Sequence, residues 1–284
     1  MAEIHDMRAM MEAIKHKVFT YSTLIIGAGE GKPFAPIGTG TLVLIEGRHS
    51  LLTAAHVWEA VERFPRVALV NASNHPSAVA ENRDLFTKRF VTPYPKGDAI
   101  RFGPDLALLE VPAPYARRLE ATGKAFYNLS KRRAERLESP LDTRAGWVIV
   151  GALIDDSFER RGTQPDGAEQ MYTDLALIWS RVRATHERRG FDYIDLALDN
   201  KLSGDFPLSY GGVSGAGLWR VGKRDGDRLE WPDEGPVELE GVVFLYHAPQ
   251  PEPEDEVIRS HGRRSVYDVA IASSGLLPSV PPKE

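Results

Sequence analysis

Two short stretches carry residue types suited to acyl transfer. The first is "GGVSGAGLW", Gly211–Trp219, in which Ser214 stands among glycines. A hydroxyl is a weak nucleophile near neutral pH. It needs a base within hydrogen-bond reach and a carboxylate to orient that base. It also needs donors that meet the negative charge developing on the attacked carbonyl. Glycines beside the serine let the backbone turn tightly, and by sequence Gly212 and Ser214 are placed to supply two such N–H groups, an oxyanion hole. The second stretch is "LLTAAHVWEAV", Leu51–Val61, where His56 follows an apolar strand-like run and two small alanines and opens a short helical turn. An imidazole in that setting would sit at a barrel rim.

The orienting acid is less sharply marked, because "DLAL" occurs three times, at Asp105, Asp174 and Asp195, each time opening an apolar strand-like run. Asp105 is favoured. The turn pair Gly103-Pro104 precedes it, so it opens its strand at a rim, and it shares the first half of the chain with His56. The other two read as strand-edge or turn aspartates. Several competing motifs fail on spacing. "GAGEGKP" sets its glycines one residue too close for a phosphate-binding loop and has Pro33 where a hydroxyl is needed. Ala216 breaks the G-x-S-x-G pattern of a nucleophile elbow. The eight histidines show no HxxxH or HExxH spacing, so neither metal nor cofactor is expected, and His186, His247 and His261 read as surface or core residues.

The elements that must position these residues are mostly short strands. Apolar runs such as "YSTLIIGAG", "TGTLVLIEGRHSLLTAA", "RVALVNAS" and "LALLEVPAP" are broken by Gly, Pro and Asp turns, with Gly47 suited to a hairpin. A charged, more helical bridge covers about 117–142, and strand-like runs then resume from "GWVIVGALI" to "SVYDVAI". This pattern predicts an all-β protein built from closed barrels or a sandwich. Met7, Met10, Met11, Ile14 and Val18 form one helical stripe, predicting a short N-terminal helix packed on the body. The expected division is a helix at 1–18, a first barrel at 19–130 with His56 and Asp105, a linker at 131–146, a second barrel at 147–275 with Ser214, and a Pro-rich tail at 276–284.

Composition bounds the function. With 42% hydrophobic and 26% charged residues among 284, the chain can bury a sizeable core. A net charge of -5 gives no global field for nucleic acid or anionic lipid, and the basic clusters "KRRAER" and "RVRATHERR" read as solvated faces. Cysteine is absent, which excludes disulfides, a thiol nucleophile and Cys-ligated zinc. No signal-peptide pattern or membrane-spanning run is present, so a cytoplasmic, prokaryotic or viral chain is expected.

"TAAHV", "DLALLEV" and "GGVSGAGLW", in that order, resemble the trypsin-like, chymotrypsin-fold serine peptidases, over about residues 20–272. The resemblance implies two packed six-stranded antiparallel β-barrels, with Ser214 as nucleophile, His56 as general base, Asp105 as orienting carboxylate, and Gly212 and Ser214 as oxyanion-hole amides. It also implies that "LEGVVFLYH" pairs with substrate backbone, so that Phe244, Leu245 and Tyr246 flank the specificity pocket and Tyr246 narrows its mouth. Leu208 would form the pocket base, implying a neutral or apolar preference, and "GRRSVYDV" would close the pocket around Ser265. Val213 stands where secreted relatives carry an aspartate that captures a newly cut N-terminus, so cleavage activation is not expected. Ala216 replaces a second glycine. The implied partner is a protein or peptide substrate, with control by a regulatory protein or signal. The alternative is a non-catalytic double-barrel binding module.

Overall fold

The computed structural model describes residues 2–29, 32–70, 81–93, 103–154, 159–163, 169–172, 175–198, 210–225, 228–230, 237–247 and 257–276. Helix α1 (Ala2–Phe19) is followed by strands β1 (Ser22–Gly29), β2 (Lys32–Ile45) and β3 (Arg48–Thr53), helix α2 (Ala55–Val61), and strands β4 (Arg66–Val70), β5 (Glu81–Asn82), β6 (Thr87–Val91) and β7 (Ala107–Glu110). Helix α3 (Ala113–Ala121), the short β8 (Tyr127–Asn128) and helix α4 (Leu129–Glu138) bridge to the second half. There β9 (Gly146–Ala152), β12 (Leu175–Arg188), β13 (Phe191–Leu198), β14 (Gly217–Val221), β17 (Val237–His247) and β18 (Val257–His261) form the sheet, while β10 (Glu159–Thr163) pairs with β11 (Glu169–Tyr172) and β15 (Lys223–Asp225) with β16 (Arg228–Glu230).

The protein is all-β, in the arrangement of a chymotrypsin-like double barrel. The second half closes as a six-stranded barrel, β12-β13-β18-β17-β14-β9. The first half differs from the expected closed barrel. Its strands run β5-β4-β1-β2-β3-β7-β6, with β8 parallel to β2, and among the described residues β5 and β6 do not pair. It is a half-barrel. Its β2–β3 hairpin turns at Glu46 and Gly47, both at positive φ, which matches the twist of the flanking strands.

Strand periodicity explains the core. Ile25, Leu42, Leu51, Leu69 and Leu109 face α2 and α3, where Trp58, Tyr115 and Leu119 cover them. Their neighbours Leu24, Val43, Leu52 and Leu108 face the other way, onto Val150, Trp219 and Leu239 of the second barrel. Strands buried on both faces read as continuous apolar runs rather than alternation, which is how "TLVLI" and "LALLEV" look. The interior of the second barrel is filled by Trp147, Ile149, Ile178, Leu196, Leu218 and Ile258. Ile14 and Val18 of α1 are fully buried against this body, as the helical stripe predicted; the side chains of Met7 and Met10 lie outside the described residues.

One expected strand is a helix. "SVYDVAI" falls in a π-helical segment, α5 (Arg264–Ala270), continued by an α turn at Ile271–Ser273. Its apolar residues Val266, Tyr267, Ala270 and Ile271 are all buried. That three- to four-residue spacing is a helical stripe, and the β-branched residues masked it. The bridge is also more ordered than a linker. Arg136 of α4 is buried and pairs with Glu238 (2.7 Å) and Glu240 (3.3 Å) of β17. Arg263, just before α5, joins this cluster by bonding Glu240 (2.9 Å) and the Arg136 carbonyl (2.9 Å), and Arg220 of β14 pairs with both glutamates.

Candidate active site

His56 and Asp105 meet as expected. His56 lies in the first turn of α2, held in place by buried Val57, Trp58 and Val61 on the same helix. Asp105 precedes β7, just after a turn in which Gly103 takes positive φ. Its side chain is 3% exposed, and its two oxygens divide their work. Oδ1 accepts the His56 backbone N–H at 2.9 Å, and Oδ2 lies 2.6 Å from His56 Nδ1. An ionised carboxylate only accepts, so the ring proton belongs on Nδ1 and Nε2 is the basic nitrogen. Asp195 is elsewhere: it forms a bidentate pair with Arg259 (2.6 and 2.9 Å) on the wall of the second barrel. Asp174 lies outside the described residues.

Ser214 sits on the tight turn that leads into β14, half-buried. The turn reaches the first half of the chain through Thr39 of β2. The Thr39 N–H donates to the Ser214 carbonyl (2.9 Å), and its hydroxyl donates to the Gly212 carbonyl (2.7 Å) while accepting from Ala152 N–H (2.9 Å). Gly38 next to it marks where the two halves converge. A Cβ there would lie 2.9 Å from the Val57 side chain and 3.1 Å from the Ser214 carbonyl.

Following each peptide group of the turn is informative, because buried backbone groups are nearly always paired. The Gly211 carbonyl accepts from Ile154 N–H (2.9 Å), and the Val213 carbonyl from Ala216 N–H (2.9 Å). Val213 N–H donates to the Tyr210 carbonyl (3.2 Å), and Gly215 N–H to the Val243 carbonyl (2.7 Å). Two donors are left with no acceptor among the described residues: the N–H groups of Gly212 and Ser214. A planar trans peptide points its N–H opposite its C=O. Fixing the Gly211 and Val213 carbonyls therefore fixes the direction of both unfilled donors.

Two glycines make this turn possible. Gly212 has φ +100, and a Cβ on it would come 2.7 Å from the Ala152 carbonyl; Gly215 has φ +88, and a Cβ would come 1.9 Å from the Thr39 carbonyl. Ala216 is not among the described residues with positive φ. Its methyl is fully buried, so the departure from a second glycine is accommodated. Val213 is 1% exposed and packs on Gly151 of β9. Apolar contact, not an ion pair, braces the turn.

The expected substrate-contacting residues fare unevenly. Phe244 is 2% exposed, its ring against His261 and Tyr193. Leu245, next on the strand, is half-buried. Ser265 is fully buried in α5, and its hydroxyl bonds the Asp192 carboxylate at 2.6 Å. Leu208 and the side chain of Tyr246 lie outside the described residues. Among the described residues, no cluster of three or more His, Cys, Asp or Glu is arranged to hold a metal ion.

No family model matches the sequence, and no curated protein does either. Among solved structures, the chain is similar to the Drosophila Grass clip serine protease of the Toll pathway, at 15% identity and TM-score 0.49, covering 93% of this chain and 72% of that one. It is also similar to a structure from work on aromatic interactions in the coupled folding and binding of the intrinsically disordered Sesbania mosaic virus VPg protein, at 16% identity and TM-score 0.44, covering 91% of each chain.

The residue that sequence reading missed is His261. Its Nε2 accepts the backbone N–H of Asp105 at 3.0 Å. The ring is fully buried, and burial pushes its pKa down to about 4. Nothing in "RSHGRR" ties this histidine to Asp105, since the link spans the two halves of the chain.

Proposed function

We propose that the protein is a serine endopeptidase that hydrolyses peptide bonds through an acyl-enzyme. The supporting observation is the turn of Ser214, where the flanking carbonyls and the Val213 and Gly215 amides are paired and, among the described residues, the Gly212 and Ser214 N–H groups have no acceptor. In this reading the Ser214 hydroxyl attacks the substrate carbonyl carbon and passes its proton to His56 Nε2. The carbonyl oxygen takes up negative charge against the Gly212 and Ser214 amides. As the C–N bond breaks, His56 returns the proton to the leaving amine. Water then repeats the sequence on the ester, freeing Ser214 and a new carboxyl terminus. Asp105 holds the tautomer and supports the imidazolium.

Buried Val213 supports a second element of the proposal. A turn braced by apolar packing needs no new N-terminus to form, so the site assembles in the uncut chain. The test is hydrolysis of an unfolded protein such as reduced casein. Wild-type protein is expected to cleave it, and His56→Ala to lower kcat by roughly 10³-fold or more. Equal cleavage by wild type and His56→Ala would remove the assignment.

A further inference from the structure

His261 belongs to β18 of the second barrel, yet it bonds the backbone of Asp105 in the first half, 3.0 Å away. We propose that His261 is a positioning residue that fixes the Asp105 main chain, so that the second barrel, which carries Ser214, also sets the orientation of the acid–base pair. The inference rests on the peptidase reading for its catalytic consequence and on geometry alone for the link itself.

The surroundings leave the ring one role. Its Nε2 accepts an amide proton, so any ring proton sits on Nδ1. Nδ1 is buried and has no hydrogen-bond partner among the described residues. Aromatic neighbours enclose the ring: Phe244 at 4.6 Å, Tyr193 at 5.1 Å and Phe191 at 5.6 Å between centroids. The charged groups facing it are Asp105 and Asp192. Asp192 anchors the corner after His261. Its carboxylate accepts from Ser265 N–H (2.7 Å) and Arg264 N–H (3.0 Å), and its carbonyl accepts Gly262 N–H (2.9 Å). The imidazole is thus held on its own barrel by a built corner and presents a single acceptor across the interface. The acceptor is what the packing does not require, and Asp105 is what it serves.

The consequence travels one bond further. Asp105 Oδ1 and Oδ2 grip the His56 N–H and Nδ1, so a shift of the Asp105 backbone loosens both. Small misplacements of a catalytic group cost about 10²-fold in rate.

The experiment compares wild type with His261→Phe, which keeps a ring but removes the acceptor, and His261→Gln, which keeps an acceptor. His261→Met replaces the phenylalanine variant should that one not fold. The first readout is the low-field proton NMR signal of the short His56–Asp105 hydrogen bond, which does not depend on turnover. The second is kcat against KM. His261→Phe is expected to shift or broaden away the signal and lower kcat by about ten- to a hundredfold with KM little changed, and His261→Gln to restore much of both. An unmoved signal in His261→Phe would overturn the inference. A protein that gives the signal in wild type, loses it in His261→Phe and yet hydrolyses nothing would uphold the link while removing the peptidase reading.

Discussion

Asp105 makes three hydrogen bonds at one place: a carboxylate oxygen to the His56 amide, the other to its ring, and its own N–H to His261. Replacing the carboxylate by an amide leaves the shape but offers Nδ1 an N–H instead of a second acceptor. Asp105→Asn therefore favours the wrong imidazole tautomer, and a loss of about 10⁴-fold in kcat is expected, measured on a peptide ester with folding checked by circular dichroism. A kcat within tenfold of wild type would show that Asp105 does not orient the base. Residue types at this scale were readable from sequence. Ser214, His56 and Asp105 are residue types suited to a nucleophile, base and acid, and the structure brings His56 and Asp105 into contact. The glycines were readable too, because Gly212 and Gly215 occupy conformations that side chains rarely adopt. His261 was not readable, since a buried acceptor has meaning only beside the donor it meets.

Helix α4 shows what sequence conveys poorly about elements. A run of basic residues suggests a solvated face, and exposed Lys131 fits that reading, but Arg132 and Arg133 are half-buried and Arg136 turns inward to Glu238 and Glu240. Charge runs hide which member is buried, because periodicity in "KRRAER" is carried by residues of one type. The energetic consequence separates the two kinds of arginine. Removing Arg136 breaks two buried ion pairs but leaves Glu238 and Glu240 with Arg220 and Arg263, so the cost falls below the roughly 3–5 kcal/mol of an uncompensated buried charge, at about 2–3 kcal/mol. Arg136→Met is expected to destabilise by that order in urea unfolding. Arg133→Ala, which loses a half-exposed pair with Asp268 (2.8 Å) and a bond to the Tyr267 carbonyl (2.8 Å), is expected to cost less, about 1 kcal/mol. Equal effects would mean that α4 is not anchored through Arg136. The same hiding misled the reading of α5, where Val266 and Ile271 looked like strand residues although their spacing is helical.

Across the whole molecule, two halves meet through a few polar contacts set in an apolar interface: Thr39 reaching the Ser214 turn and His261 reaching Asp105. The all-β architecture was legible because short apolar runs alternate with turn residues. The strand order of the first half was not, because edge pairing is encoded by no local pattern. Burial of His261 also gives the molecule a pH response. Its pKa is about 4 in the folded state against an ordinary value of 6.5, so the unfolded chain binds the extra proton first. Stability from this group is full above about pH 6.5 and declines as pH falls toward about 4, by a total of about 3 kcal/mol. Urea unfolding from pH 7 to pH 4 is expected to show this loss in wild type and a flatter profile in His261→Phe. An identical slope in both would assign the acid sensitivity to other groups. The central claim is that Ser214 is the activated nucleophile of a site formed without chain cleavage. Its most direct measurement is labelling of the uncut protein with a fluorophosphonate, followed by mass spectrometry of the modified peptide. The account predicts one adduct, on Ser214, abolished in Ser214→Ala; no adduct on folded wild-type protein, or an adduct that persists in Ser214→Ala, would contradict it.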